Sequence, residues 1–148
     1  MDIRQAQLED IETLFKIRTS VVENYLSRQE LANLDITPAT VAIMLQTDCC
    51  AWVAEIDKKL IGFSIADAAQ TTIFALFVLP AYEGRGVGRA LMEKAEKWLW
   101  SLGFTEIWLL TTNNPKLRAY GFYQHLGWIP NDVQPDGLIK FIKRKSND

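Results

Sequence analysis

Gly84, Gly86 and Gly88 occupy every second position just after the apolar run that stops at Pro80, and Arg85 and Arg89 are interleaved with them. A long helical pattern begins at once. Glycine inside a helix is worse than alanine by roughly 1 kcal/mol, so three at a helix start need a reason. A strand, a glycine loop and a helix together make an anion site. The unpaired N–H groups of the first helical turn point outward, and the helix dipole adds about half a positive charge. Glycines let the backbone approach closely where a Cβ would intrude. Arg85 and Arg89 can pair with further phosphate oxygens.

The spacing excludes two common phosphate motifs. A dinucleotide fingerprint needs G-x-G-x-x-G, but the third glycine position falls on Arg89 counted from Gly84 and on Leu91 counted from Gly86. A P-loop needs Lys and then Ser or Thr after the last glycine, and Gly88 is followed by Arg89 and Ala90.

Other reactive side chains are sparse. Cys49 and Cys50 are adjacent, so in a strand they point to opposite faces as small apolar residues. They make neither a disulfide framework nor a zinc site, and no metal is expected. His125, the single histidine, reads as a helix-surface residue.

The elements that must hold the loop can be read from periodicity. Residues 2–6 form a short strand. From Leu8 to about Asn24 the apolar positions Ile11, Leu14, Phe15, Val21 and Val22 predict a helix, interrupted near Thr19 and Ser20. Thr37 is an N-cap with Pro38 at the first helical position of a second helix, whose face is Val41, Met44 and Leu45. Residues 49–56 and 60–67 flank a short polar turn and predict a hairpin. The run 71–79 is apolar on both faces, as a central strand must be. The helix after the glycine loop buries Leu91, Ala95, Trp98, Leu99 and Leu102 and ends at Gly103. A two-sided strand (105–112), a short helix (116–126) closed by Gly127 and a final strand pair follow. The fold class is α/β, a single domain over residues 1–148 with a mixed, mostly antiparallel sheet flanked by helices.

Bulk properties narrow the function. The net charge of −2 argues against general nucleic-acid binding. No apolar run approaches a membrane span, and the polar start lacks a signal-peptide layout, so the cytoplasm is the expected compartment and no membrane partner is expected. Trp98 and Trp100 cannot share a helix face; a partly exposed Trp100 would suit a homodimer contact.

The stretch LFVLPAYEGRGVGRALM resembles the central motif of the GCN5-related N-acetyltransferases (GNAT), L-x-V-x-P followed by R/Q-x-x-G-x-G/A. The later RAYGFYQHLGW (118–128) resembles the family's second motif, A-x-x-F-Y-x-x-x-G-F/W. The order of the remaining elements agrees over nearly the whole chain. Two positions depart: Glu83 stands where the family has Arg or Gln, and Lys116 stands where it often has Asn.

The resemblance implies an N-acetyltransferase that moves an acetyl group from acetyl-CoA to a primary amine of a small molecule or peptide by direct attack. It implies that the strands at 71–79 and 105–112 splay apart and that pantetheine lies between them. Leu76, Phe77 and Val78 would supply backbone contacts, and Gly84, Arg85, Gly86, Val87, Gly88 and Arg89 would hold the pyrophosphate. Asn113 or Asn114, with Asn114 preferred, would take over the missing asparagine contact. The Val78 N–H would face the thioester oxygen, and Tyr123 would protonate the leaving sulfur. No carboxylate or histidine lies between Thr71 and Leu79, so Asp67 and Glu23, both read as surface carboxylates, are the candidate bases acting through water.

The acceptor would enter beside the early helices, among Arg18, Glu23, Asn24 and Tyr25, with the two carboxylates of residues 130–137 on the opposite wall. Arg18 suits a carboxylated substrate and the carboxylates suit a cationic one. A non-catalytic sensor of coenzyme A or acetyl-CoA is the alternative reading.

Overall fold

Asp57 and Lys58 both take positive φ, 49° and 66°, and so turn β2 (Cys49–Ile56) directly back into β3 (Lys59–Asp67). This computed structural model describes residues 1–147; Asp148, the last residue of the predicted domain span, lies outside them. The other strands are β1 (Asp2–Gln5), β4 (Thr72–Val78), β5 (Glu106–Thr112), β6 (Ile129–Val133) and β7 (Leu138–Arg144). They form one seven-stranded sheet in the order β1-β2-β3-β4-β5-β7-β6. Every neighbouring pair is antiparallel except β4 and β5.

Five α-helices cover the two faces: α1 (Ile11–Arg18), α2 (Arg28–Asn33), α3 (Pro38–Gln46), α4 (Val87–Ser101) and α5 (Arg118–His125). Strand alternation sends Cys49, Ala51 and Val53 to one face and Cys50, Trp52 and Ala54 to the other. The first set packs with Leu14, Phe15, Leu31 and Val41 of α1 to α3. The second packs with Leu91, Ala95 and Leu99 of α4 and with Tyr120, Trp128 and Phe141. Both cysteines are buried and free. Burying a leucine such as Leu91 or Leu99 stabilises by about 2 kcal/mol, so α4 is held by its apolar stripe.

Polar groups between the sheet and α4 are satisfied. The buried Ser64 hydroxyl donates to the Leu91 carbonyl at 3.0 Å, tying β3 to α4. Glu96 on α4 accepts from Lys143 Nζ at 2.8 Å and from Trp128 Nε1 at 3.2 Å. Burial pushes the Glu96 carboxyl up, against the pull of Lys143.

Three details differ from the sequence reading. The first helix stops at Arg18, and Val21 and Val22 belong to a loop, with Val22 exposed. The Thr19 and Ser20 hydroxyls donate back to the Phe15 and Lys16 carbonyls, and Asn24 has φ 58°, so the helix cannot resume. Helix α2 went unpredicted because it has six residues, although Ser27 and Glu30 form a reciprocal capping box before it. Leu102 is exposed rather than buried: α4 ends one residue earlier, and Gly103, at φ 98°, turns the chain away. Val87 and Met92 complete the buried stripe. Trp100 is half-buried, partly exposed as expected, with the rest of its ring packed against the core. Among the described residues no helix is long and apolar enough to cross a membrane.

The parallel pair decides where a site can form. β4 and β5 meet at one position, Thr72 opposite Trp108. There the Thr72 hydroxyl donates to the Trp108 carbonyl at 2.6 Å, and Trp108 Nε1 donates to the Gln70 carbonyl at 2.8 Å. Two residues on, the β3–β4 register skips Phe74: Ile65 pairs Ala75 while Ala66 pairs Ile73. This bulge bends and twists β4. Beyond it β4 and β5 share no pairing, and the sheet opens between them.

Candidate functional site

The Leu79 N–H donates to the Ile61 carbonyl of β3 at 2.8 Å. Successive amides along a strand face opposite ways, so the Val78 and Leu76 amides point away from β3 into the opening. That opening is a groove of about 710 Å³ running between the glycine loop and the loop after α1. Leu76, Phe77, Val78, Gly84, Gly86, Gly88, Arg89 and Tyr123 all line it, as do Arg18, Glu23, Asn24 and Tyr25. Segments more than a hundred residues apart in the chain are thus brought to one place.

The glycines differ in purpose. Gly84 and Gly86 have φ of 75° and 82°, which a side chain rarely tolerates, and Gly86 is the N-cap of α4. A Cβ on Gly86 would meet nothing within 4 Å, so its neighbourhood is open. Gly88 instead lets α4 pass Phe122, whose ring would stand 3.1 Å from an added Cβ. The loop leaves the first amides of a fifteen-residue helix exposed beside the groove. This backbone fits a phosphorylated ligand.

Glu83 is held by Arg118, whose Nε lies 3.5 Å from its carboxylate, so the acidic departure from the family pattern is offset by a cation of α5. Arg118 also ties down the loop after α1. Its backbone N–H donates to Glu23 at 3.0 Å, capping a helix whose own N-cap, Leu117, has no side-chain acceptor. Next to this contact the Thr112 hydroxyl donates to the Asn24 side chain.

Several predicted residues lie elsewhere. The Val87 side chain is in the core, which leaves only its backbone for the groove. Arg85 stacks its guanidinium over Tyr82, 5.5 Å from the ring centroid, and is not part of the groove wall. Asn114 is turned into its own loop, where its side chain accepts the Lys116 N–H at 3.0 Å, and it does not line the groove. Asp67 is buried, not on the surface, and accepts the Ala69 N–H at 2.9 Å. It faces Thr72 at the closed end of the strand pair, too far along β4 to act at Val78. Asp132 and Asp136 are absent from the groove wall, and Asp136 accepts the Leu138 N–H within its turn.

The structure adds Phe122, Arg118, Thr111, Thr112 and the exposed His125 to the groove. The Phe122–Tyr123 pair sits inside the second motif and was legible there; the two threonines carried no signal beyond strand propensity. Burial pushes the Tyr123 phenol up to about 12, so it keeps its proton at neutral pH. At the other end the Arg18 guanidinium lies over the Phe77 ring, 4.2 Å from its centroid. Among the described residues no metal-binding cluster of His, Cys, Asp and Glu occurs.

Comparison with known proteins bears on this arrangement. The model of the acetyltransferase (GNAT) family matches residues 9–128. An uncharacterized N-acetyltransferase of Archaeoglobus fulgidus is 30% identical over 137 residues, 83% of this chain and 89% of that one. Human N-acetyltransferase 8B is 28% identical over 102 residues, and the match spans 64% of this chain but only 44% of that relative. Among solved structures, the PaiA N-acetyltransferase of Thermoplasma acidophilum in complex with coenzyme A superposes with a TM-score of 0.82 at 21% identity, covering 97% of this chain and 98% of the other. The ribosomal-protein-S18-alanine N-acetyltransferase of Escherichia coli superposes at 0.76 with 18% identity, covering 99% and 95%. These two likenesses speak for the fold.

Proposed function

The chain belongs to the acetyltransferase (GNAT) family, an acetyl-CoA-dependent N-acetyltransferase, and we propose that the groove between β4 and β5 is where its cosubstrate and its amine acceptor meet. The observation that carries this reading is that β4 pairs with β5 only at Thr72, so that Leu76 and Val78 border an opening that reaches from the glycine loop to Arg18. Acetyl-CoA supplies an activated acetyl thioester. The free backbone groups of β4 pair with an extended ligand as a further strand would. The amides of Gly86 to Gly88 and the Arg89 guanidinium hold the diphosphate. Arg89 is shared with Glu93, 3.6 Å away and exposed, so it can turn to an anion at small cost.

The Val78 N–H donates to the carbonyl oxygen as charge develops on it. The acceptor nitrogen bonds to the acetyl carbon, the carbon–sulfur bond breaks, and the amine proton passes to solvent. Tyr123 is the donor toward the leaving sulfur. With its phenol near 12 and a thiol near ~8.5, full proton transfer would be uphill by about 5 kcal/mol. Tyr123 therefore acts by hydrogen bonding rather than by giving up its proton. Two buried free thiols are in keeping with a reducing, cytoplasmic compartment.

Calorimetric titration of acetyl-CoA, with NADH and ATP as controls, tests this. One-site binding of acetyl-CoA alone, followed by thiol release when amines are added, is expected. A folded protein that ignores acetyl-CoA would overturn it.

A further inference from the structure

Arg18 is the last residue of α1, and its Nη1 is buried without a hydrogen-bond partner among the described residues. A buried, unpaired guanidinium nitrogen is costly unless a ligand completes it. Glu23, on the same groove wall, is engaged by the Arg118 N–H, and among the described residues Arg18 has no carboxylate in ion-pair contact. Burial and the face of Phe77 are what surround this cation.

Behind Arg18 lies a second cavity of about 150 Å³, walled by Leu14, Phe15, Leu31, Val41, Phe63 and Ile65. Arg18, Leu26, Phe74, Ala75 and Phe77 line both this cavity and the groove, so the two adjoin at these residues. An apolar cavity of about this size holds a benzene-sized group. An anion receptor thus sits at the junction of an apolar socket and the acetyl-transfer groove.

We propose that the acceptor is a free α-amino acid with an apolar side chain, and that Arg18 is its specificity-determining residue. The carboxylate pairs with Arg18, the side chain enters the apolar cavity, and the amine faces the Val78 amide. This rests on the groove being the transfer site. A peptide N-terminus lacks the carboxylate at that carbon and would leave Arg18 unpaired, and a polyamine would bring a second cation to it.

The test is titration of L-phenylalanine, L-phenylalaninamide, glycine and the peptide Phe-Ala-Ala into the protein saturated with coenzyme A. L-phenylalanine should bind at least 10-fold more tightly than each of the others. Arg18→Gln should erase its advantage over the amide while coenzyme A binding, which reports an intact fold, persists. Ala75→Leu should erase its advantage over glycine and keep the preference for the carboxylate. Equal binding of acid and amide, tighter binding of the peptide, or an unchanged ratio in Arg18→Gln would sink this assignment and leave the transfer site standing. Failure of the folded protein to bind coenzyme A would remove the transfer site as well.

Discussion

The Glu23 carboxylate accepts the backbone N–H of Arg118 at 3.0 Å across the open end of the sheet, joining residues 95 positions apart. Through the same arginine, whose guanidinium reaches Glu83, the loop after α1 and the glycine loop share one anchor on α5. Removing the carboxylate should loosen one wall of the groove. Glu23→Ala is expected to cost about 1 kcal/mol of stability, as loss of a helix cap does. In kinetics it should raise the acceptor KM while the acetyl-CoA Kd holds. A fall in acetyl-CoA affinity with an unchanged acceptor KM would contradict that role.

Tyr123→Phe removes one hydrogen bond and keeps the ring that packs on Phe122 and Phe141. A charge-assisted hydrogen bond is worth about 1.5–3 kcal/mol, so kcat should fall about 10- to 100-fold. Acetyl-CoA binding should be unaffected. An unchanged kcat would exclude the hydroxyl from catalysis.

Gly62 lies opposite Val78, and a Cβ there would stand 3.0 Å from the Phe77 carbonyl and 3.1 Å from Leu91 Cδ1. Gly62→Ala must therefore push β4 toward the groove or away from α4. Overpacking of this kind costs about 1–3 kcal/mol. The variant should be less stable in urea and bind acetyl-CoA more weakly. Wild-type affinity in a destabilised variant would mean that the β4 amides are not contacts.

Alkaline stability follows from one buried group and one half-buried group. Burial, with Asp67 beside it, pushes the Cys49 thiol from 9.0 up to about 12. Burial moves the Tyr123 phenol from 10.0 to about 12. Raised folded values mean that the folded protein holds these protons more tightly than the unfolded chain. Their stabilisation is complete below pH 9 and is lost as pH rises toward 12. The Tm should be flat through pH 8 and then fall, and Tyr123→Phe should fall less steeply above pH 10. A parallel fall in both proteins would exclude the tyrosine contribution.

Glu96→Ala would leave Lys143 with only the Leu126 carbonyl as acceptor and the Trp128 indole N–H without its own. Breaking a largely buried pair costs about 3 kcal/mol. Denaturation followed by tryptophan fluorescence should report this, with Glu96→Gln in between because an amide oxygen still accepts from the indole. A loss below 0.5 kcal/mol, roughly the scatter for surface substitutions, would show that water replaces the network.

Most elements were readable because their signals are short-range. Thr37 and Pro38 mark the start of α3, Pro80 ends β4, and Gly103 and Gly127 end α4 and α5, each by a backbone preference acting within a few residues. Helix α2 slipped past because six residues carry less than two turns of periodicity, although its capping box was present at Ser27 and Glu30. Leu102 was misread because its spacing suits the buried face, while only the position of the helix end puts it outside.

The sequence alone determined the strand–glycine loop–helix unit, the mixed sheet and the family, since two motifs and local turn chemistry specify them. It also named Arg18, Glu23, Val78 and Tyr123 as residues to watch. Only the tertiary structure decided how these act. Separation of β4 from β5 depends on a bulge at Phe74 and on a single pairing between residues 36 positions apart. Whether a polar side chain is spent on its own loop, as Asn114 is, or left unpaired beside an apolar cavity, as Arg18 is, depends on what distant segments bring against it. Burial and hydrogen-bond satisfaction are properties of the packed chain, and no local spacing encodes them.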